Sequence, residues 1–144
     1  MSTSSPAIIH GPGYVVRPLR LDDATALSEF SEDERYWRFL AEGPRTPDQV
    51  AYFVARAVAL HADPENGEVW WAVEDPDTHG VIGTANLKRI GDAADRNGSV
   101  GCTLAPQAQG QGLGTTLGWA LIALAFETFH LHRVECTCAV ENEV

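Results

Sequence analysis

Three glycines alternate along the run QAQGQGLGTTLGW, at Gly110, Gly112 and Gly114, and an apolar helical pattern starts directly behind them. Glycine admits positive φ and leaves no Cβ over the backbone, so such a junction turns sharply and lets another group approach its amides. The surroundings carry no carboxylate. No Asp or Glu occurs between Asp95 and Glu127, where an even spread of the chain's acids would place roughly four. A helix N-terminus has unpaired N–H groups and about half a positive charge, and ordinarily attracts Asp or Glu. Glycines without acids at that place describe a seat kept for an external anion. A tight turn into a helix buried on several sides would give the same composition, and the loop alone does not choose between the two.

The periodicities around this loop set the architecture. YVVRPL (residues 14–19) reads as a strand, followed by a helix begun at Asp22 or Asp23. Residues 31–45 are polar and broken by a Gly-Pro pair, as in an irregular segment or a short helix. A better helix starts with Thr46 as N-cap, Pro47 in first position and Asp48 at the positive end of the dipole; Val50, Phe53, Val54, Ala57 and Val58 form its apolar face. Strands follow at residues 68–75, 80–90 and 99–105, then the glycine loop, a helix to about Phe129 or His130, and a last strand, HRVECTCAV. The order β-α-α-β-β-β-α-β implies an α/β fold with a mixed, mostly antiparallel sheet flanked by helices. Trp70 and Trp71 point to opposite faces of their strand, both expected in the core.

With 144 residues, 44% of them hydrophobic, the chain suits one domain, expected over residues 13–144 behind a flexible lead of residues 1–12. The first residues lack the basic and long apolar regions of a secretory signal, which leads us to expect a cytoplasmic protein without membrane contact. A net charge of −10 repels phosphate backbones, disfavours nucleic acid, and leans toward cationic partners such as amines. Cys102, Cys136 and Cys138 are expected as reduced thiols. His130, His132, Cys136 and Cys138 superficially resemble a metal site, but on one strand His132 and Cys138 would stand roughly 20 Å apart. No metal is expected.

Nucleotide motifs fit the loop poorly. A Walker A loop needs a Gly-Lys-Ser/Thr that is missing, and the third glycine comes one residue too early for G-x-G-x-x-G. What does match is Q/R-x-x-G-x-G/A, present as Gln109-Gly110-Gln111-Gly112-Leu113-Gly114. With GTANL, YVVRPLRLDDA and the order of elements, the chain from Tyr14 onward resembles the GNAT superfamily of N-acetyltransferases, in particular the subgroup of ribosomal-protein N-terminal acetyltransferases.

The resemblance implies a site and a reaction. Acetyl-CoA would be the co-substrate, its pyrophosphate on the amides of Gly110, Gly112, Gly114 and Thr115 in a loop opened by Gln109. Its pantetheine would lie along Cys102, Thr103 and Leu104, with Asn142 nearby. Acetyl would pass directly to a primary amine, a protein N-terminus or a small amine, with the Leu104 N–H as oxyanion donor. Glu135 is the nearest family-like carboxylate for a base, though pairing with Arg133 or Lys88 is the favoured reading of it; Asp33, Glu34 or a carboxylate acting through water are alternatives. Cys102 as an acyl-carrying nucleophile has nothing nearby to activate it. Tyr36, Trp37 and Phe39 fall where the family places acceptor contacts, or form an aromatic anchor for their loop. The family's further C-terminal helix and strands have no counterpart after the Glu-Asn pair, which raises two further expectations. One is a homodimer through the exposed last strand. The other is an alternative function as a catalytically incompetent acyl-CoA-binding module.

Overall fold

The computed structural model of the chain describes residues 9–31, 33, 46–61, 67–91 and 93–136. Strands β1 (Ile9–Gly11) and β2 (Tyr14–Pro18) form a hairpin, followed by a 3-10 turn at Leu21–Asp23 and the helices α1 (Ala24–Ser31) and α2 (Pro47–His61). Three strands come next, β3 (Glu68–Glu74), β4 (Val81–Ile90) and β5 (Asn97–Leu104); then α3 (Leu113–Glu127) and β6 (Arg133–Glu135). The six strands stand in the sheet in chain order. All neighbours are antiparallel except β5 and β6, which are parallel, as a crossover through one helix requires.

The mixed sheet agrees with the α/β class read from the sequence, with one strand more. Part of the stretch expected as a lead is β1: Ile9 faces Val16 across the hairpin and packs on the core, so the ordered domain starts before residue 13. The turn is Pro12–Gly13, with Gly13 at φ 85°, a turn signal that the polar surroundings obscured. β5 begins two residues earlier than expected. The Asn97–Gly98 pair looks like a hairpin turn, yet both residues are in the ladder, and Gly98 lies against the Leu131 side chain and the Lys88 carbonyl with no room for a Cβ.

Each face of the sheet has its own core. On one, Trp71, Val73, Ala85, Leu87, Val100 and Leu104 pack beneath Leu117, Leu121, Leu124 and Ala125 of α3. On the other, Ala72 and Trp70 meet Leu27 of α1 and Val50, Val54 and Ala57 of α2. Trp70 and Trp71 therefore take opposite faces, as the period of two demands; Trp70 stacks edge-on against Phe53 with centroids 4.9 Å apart. α2 starts with a reciprocal cap: the Gln49 N–H donates to Thr46 Oγ1 at 3.2 Å and the Thr46 N–H to Gln49 Oε1 at 2.8 Å.

A buried ion cluster ties the N-terminal elements together. Arg17 on β2 donates through both terminal nitrogens to the Asp23 carboxylate at 2.9 Å, and through Nε to Glu74 on β3 at 3.0 Å. Asp23 also accepts the Arg20 N–H at 2.8 Å. Burial alone would raise the Asp23 pKa; the hydrogen bonds from Arg17 and Arg20 outweigh it and hold the carboxylate below its usual range.

Candidate functional site

The site is built where β5 ends and α3 begins. Ala105 donates to the Ile82 carbonyl at 2.7 Å and so continues the β4–β5 ladder. Antiparallel pairing alternates, so the odd-numbered residues of β5 direct their backbone groups to β4, and Val100, Cys102 and Leu104 direct theirs away from it. On that outer side β6 pairs only with Asn97–Ser99 among the described residues. The parallel bridge at Ser99 takes up the Val100 N–H, so among the described residues the outward N–H groups of Cys102 and Leu104 are those that no neighbouring strand pairs.

A short 3-10 turn, Pro106–Ala108, leads from the strand into the loop. Gln109 donates its side-chain amide to the Leu104 carbonyl at 3.0 Å, fixing the loop to the strand end. Gly110 and Gly112 take φ values of 77° and 79°, a region that other residues enter at a cost. Gly112 is the N-cap of α3 and supplies no side-chain cap, and the first turn has no acid. The Thr116 N–H donates to the Gly112 carbonyl at 3.2 Å, which leaves the preceding amides of the first turn without intrahelical acceptors. A Cβ at Gly110 or Gly112 would meet no atom within 4 Å, so the space above both is open. An open left-handed pair of glycines before a 15-residue helix dipole suits a diphosphate. Gly114 differs: it is helical, and its Cβ position is 3.9 Å from Leu104 Cδ1, an ordinary contact.

A separate cleft of ≈ 270 Å³ opens on the other flank of the loop, between Gln107, Gln111 and Leu113 and the β3–β4 turn. Asp75 and Asp77 line it. Two carboxylates repel phosphate, so the amides of the α3 N-terminus, not this cleft, match the chemistry of an anion.

The other sequence-derived candidates separate. Glu135 is exposed on β6 in register with Ser99, five residues before Leu104 on β5. At about 3.3 Å per residue along the strand and about 4.8 Å across, Glu135 and Leu104 stand roughly 17 Å apart, too far to act on one carbonyl. Lys88, an expected partner of Glu135, instead approaches Glu68 at 3.9 Å. Cys102 packs its side chain on the α3 core. Burial, with a smaller contribution from Cys136, pushes its thiol up to about 11, so it is no thiolate near neutrality. Asp33 is half-buried. Tyr36, Trp37, Phe39, Glu34, Cys138 and Asn142 lie outside the described residues. The sequence reading missed the alternation that turns Val100, Cys102 and Leu104 outward; a fixed strand register was the signal needed.

A family model for the acetyltransferase (GNAT) domain matches residues 14–144. The chain belongs to the GNAT acetyltransferase family. This GNAT chain is 30% identical over 132 residues to YdaF of Bacillus subtilis (strain 168), named as a candidate ribosomal N-acetyltransferase, covering 89% of this chain and 70% of that one. Among solved structures, a GNAT-family acetyltransferase from Bacillus anthracis superposes with a TM-score of 0.80 at 18% identity, over 94% of this chain and 76% of the other. The ribosomal-protein-S5-alanine acetyltransferase from Vibrio fischeri gives 0.77 at 25% identity, over 95% and 76%. A spermidine N-acetyltransferase chimera from Vibrio cholerae and hSSAT gives 0.71 at 22%, over 91% and 74%. The chain is thus a GNAT acetyltransferase with the family's fold. No helix among the described residues is long and apolar enough to cross a membrane.

Proposed function

We propose that the chain transfers acetyl from acetyl-CoA directly to a primary amine within a ternary complex. The observation that carries this reading is the open, acid-free α3 N-terminus beside the outward edge of β5. Bound acetyl-CoA would supply the activated acyl group as a thioester. The amides at Gly112–Thr115 would hold its diphosphate with the help of the helix dipole, and Gly110 would let the chain pass beneath it. Gln109 keeps these amides in register with the strand by its bond to Leu104.

The β5 edge divides the remaining work by depth. Leu104 is next to the loop and would meet the pantetheine arm first. The thioester lies at the far end of that arm, deeper along the edge, where the next outward N–H belongs to Cys102, the Val100 N–H beyond it being taken up by the bridge to β6. The Cys102 N–H is therefore the better donor to the acetyl oxygen, in place of Leu104. Glu135, opposite Ser99, is three residues from Cys102 along the strand, roughly 10 Å. That separation allows it to take the amine's proton through a bridging water.

A free peptide N-terminus is the favoured acceptor, supported by the likeness to YdaF and by the acidic net charge of −10, which attracts cationic amines. Thiol release from acetyl-CoA tests the reading: peptides with free N-termini should accelerate it, and N-blocked peptides should not. Equal rates with and without any amine would refute transfer. Cys102→Ala and Cys102→Pro then test the donor. Alanine keeps the N–H and should keep the rate. Proline removes an N–H that β4 does not use, and should lower the turnover at least tenfold, about 1.4 kcal/mol, with acetyl-CoA binding retained. Equal turnover in the two variants would exclude Cys102 as the donor.

A further inference from the structure

Trp119 is 69% exposed on α3, although an indole is among the most costly side chains to leave in water. It follows Thr115 by four residues, one turn beyond the amides of the first turn, and Thr115 and Thr116 are exposed with it. Side chains on a helix lean toward its N-terminus, so the indole covers the outer surface of the turn at Thr115 and Thr116. No charged residue occurs from Asn97 to Phe126, so the helix itself offers an adenosine neither a cation nor a repelling carboxylate up to that point. What it does offer is one large aromatic plane, beside the place where a diphosphate would sit.

We propose that Trp119 is the stacking platform for the adenine of the co-substrate. This rests on the reading of the α3 N-terminus as the diphosphate seat. The adenine is joined to the diphosphate through a single ribose, which brings the base over the next outward turn of the helix. Stacking on an indole holds a base by its π-face without hydrogen bonds to its edge. The uncharged helix thereby gains an affinity for the nucleotide end that its amides alone would lack.

Calorimetric titration of the full chain with coenzyme A and with 4′-phosphopantetheine, which lacks the adenosine, tests the assignment. Trp119→Ala should weaken coenzyme A binding about tenfold and leave 4′-phosphopantetheine binding within twofold. Trp119→Phe should restore most of the loss. Unchanged coenzyme A affinity in Trp119→Ala, with tight binding to the unaltered chain, would overturn the platform and leave the diphosphate seat standing. Equal losses for both ligands would overturn it too, since the adenine would then not be the group held. So would a shift from dimer to monomer in sedimentation, which would give Trp119 and the neighbouring exposed Phe126 to a second copy. Failure of the unaltered chain to bind coenzyme A would remove the seat and the platform together.

Discussion

Gly112 answers to backbone shape and to charge at once, and substitution can separate them. Its φ of 79° costs an ordinary residue about 1–2 kcal/mol, while the space above it is open. Gly112→Asp should therefore weaken acetyl-CoA binding at least tenfold by calorimetry, since it places a carboxylate where the diphosphate belongs. Gly112→Asn, a residue that visits the left-handed region, should bind within a few-fold of the unaltered chain. Gly114→Ala should be tolerated, because its Cβ would only touch Leu104. The sequence showed all three glycines alike; their different duties depend on φ and on neighbours from β5, which no spacing encodes. For the thiols the contrast is burial. Cys102, held near 11, should resist iodoacetamide at pH 8 while exposed Cys136 reacts, as peptide mapping would read.

Among the elements, strands β3 and β4 and helix α2 could be read closely because their periodicities are clean and their caps local. Thr46, Pro47 and Asp48 mark the start of α2 in the sequence, and the structure adds the return bond from the Thr46 N–H to Gln49. Thr46→Ala should cost about 1 kcal/mol in chemical denaturation. The β4–β5 contact was harder to foresee. Gly83 stands against the Thr103 carbonyl so closely that any Cβ would overlap it. Gly83→Val should push the two strands apart beside the outward edge, lowering both the melting temperature and acetyl-CoA affinity. A loss of stability with unchanged affinity would show that this edge does not carry the co-substrate. The β1 strand escaped notice for a related reason: three residues are too few for a periodic signal, and only pairing with β2 makes them a strand.

At the scale of the whole molecule, acid should act through Asp23. Its folded pKa is depressed, so its contribution is complete above the unfolded value and is lost as pH falls through the folded one. Melting temperature should hold near neutrality and fall below about pH 4, and Asp23→Asn should flatten that acid limb while lowering the plateau. Removing one partner of a buried pair costs about 3–5 kcal/mol. The sheet keeps its strands in chain order, and this orders events in time as well as space. The β3–β4–β5 meander closes through short connections, whereas Arg17 and Glu74 meet across 57 residues. Loops of that length close late, after local contacts have formed. Refolding should therefore begin in the meander, and Glu74→Gln, which breaks the long-range pair with Arg17, should leave the refolding rate nearly unchanged while accelerating unfolding. The clasp at the N-terminal edge then acts as a brake on escape from the native state, and sets how long a folded molecule survives between excursions.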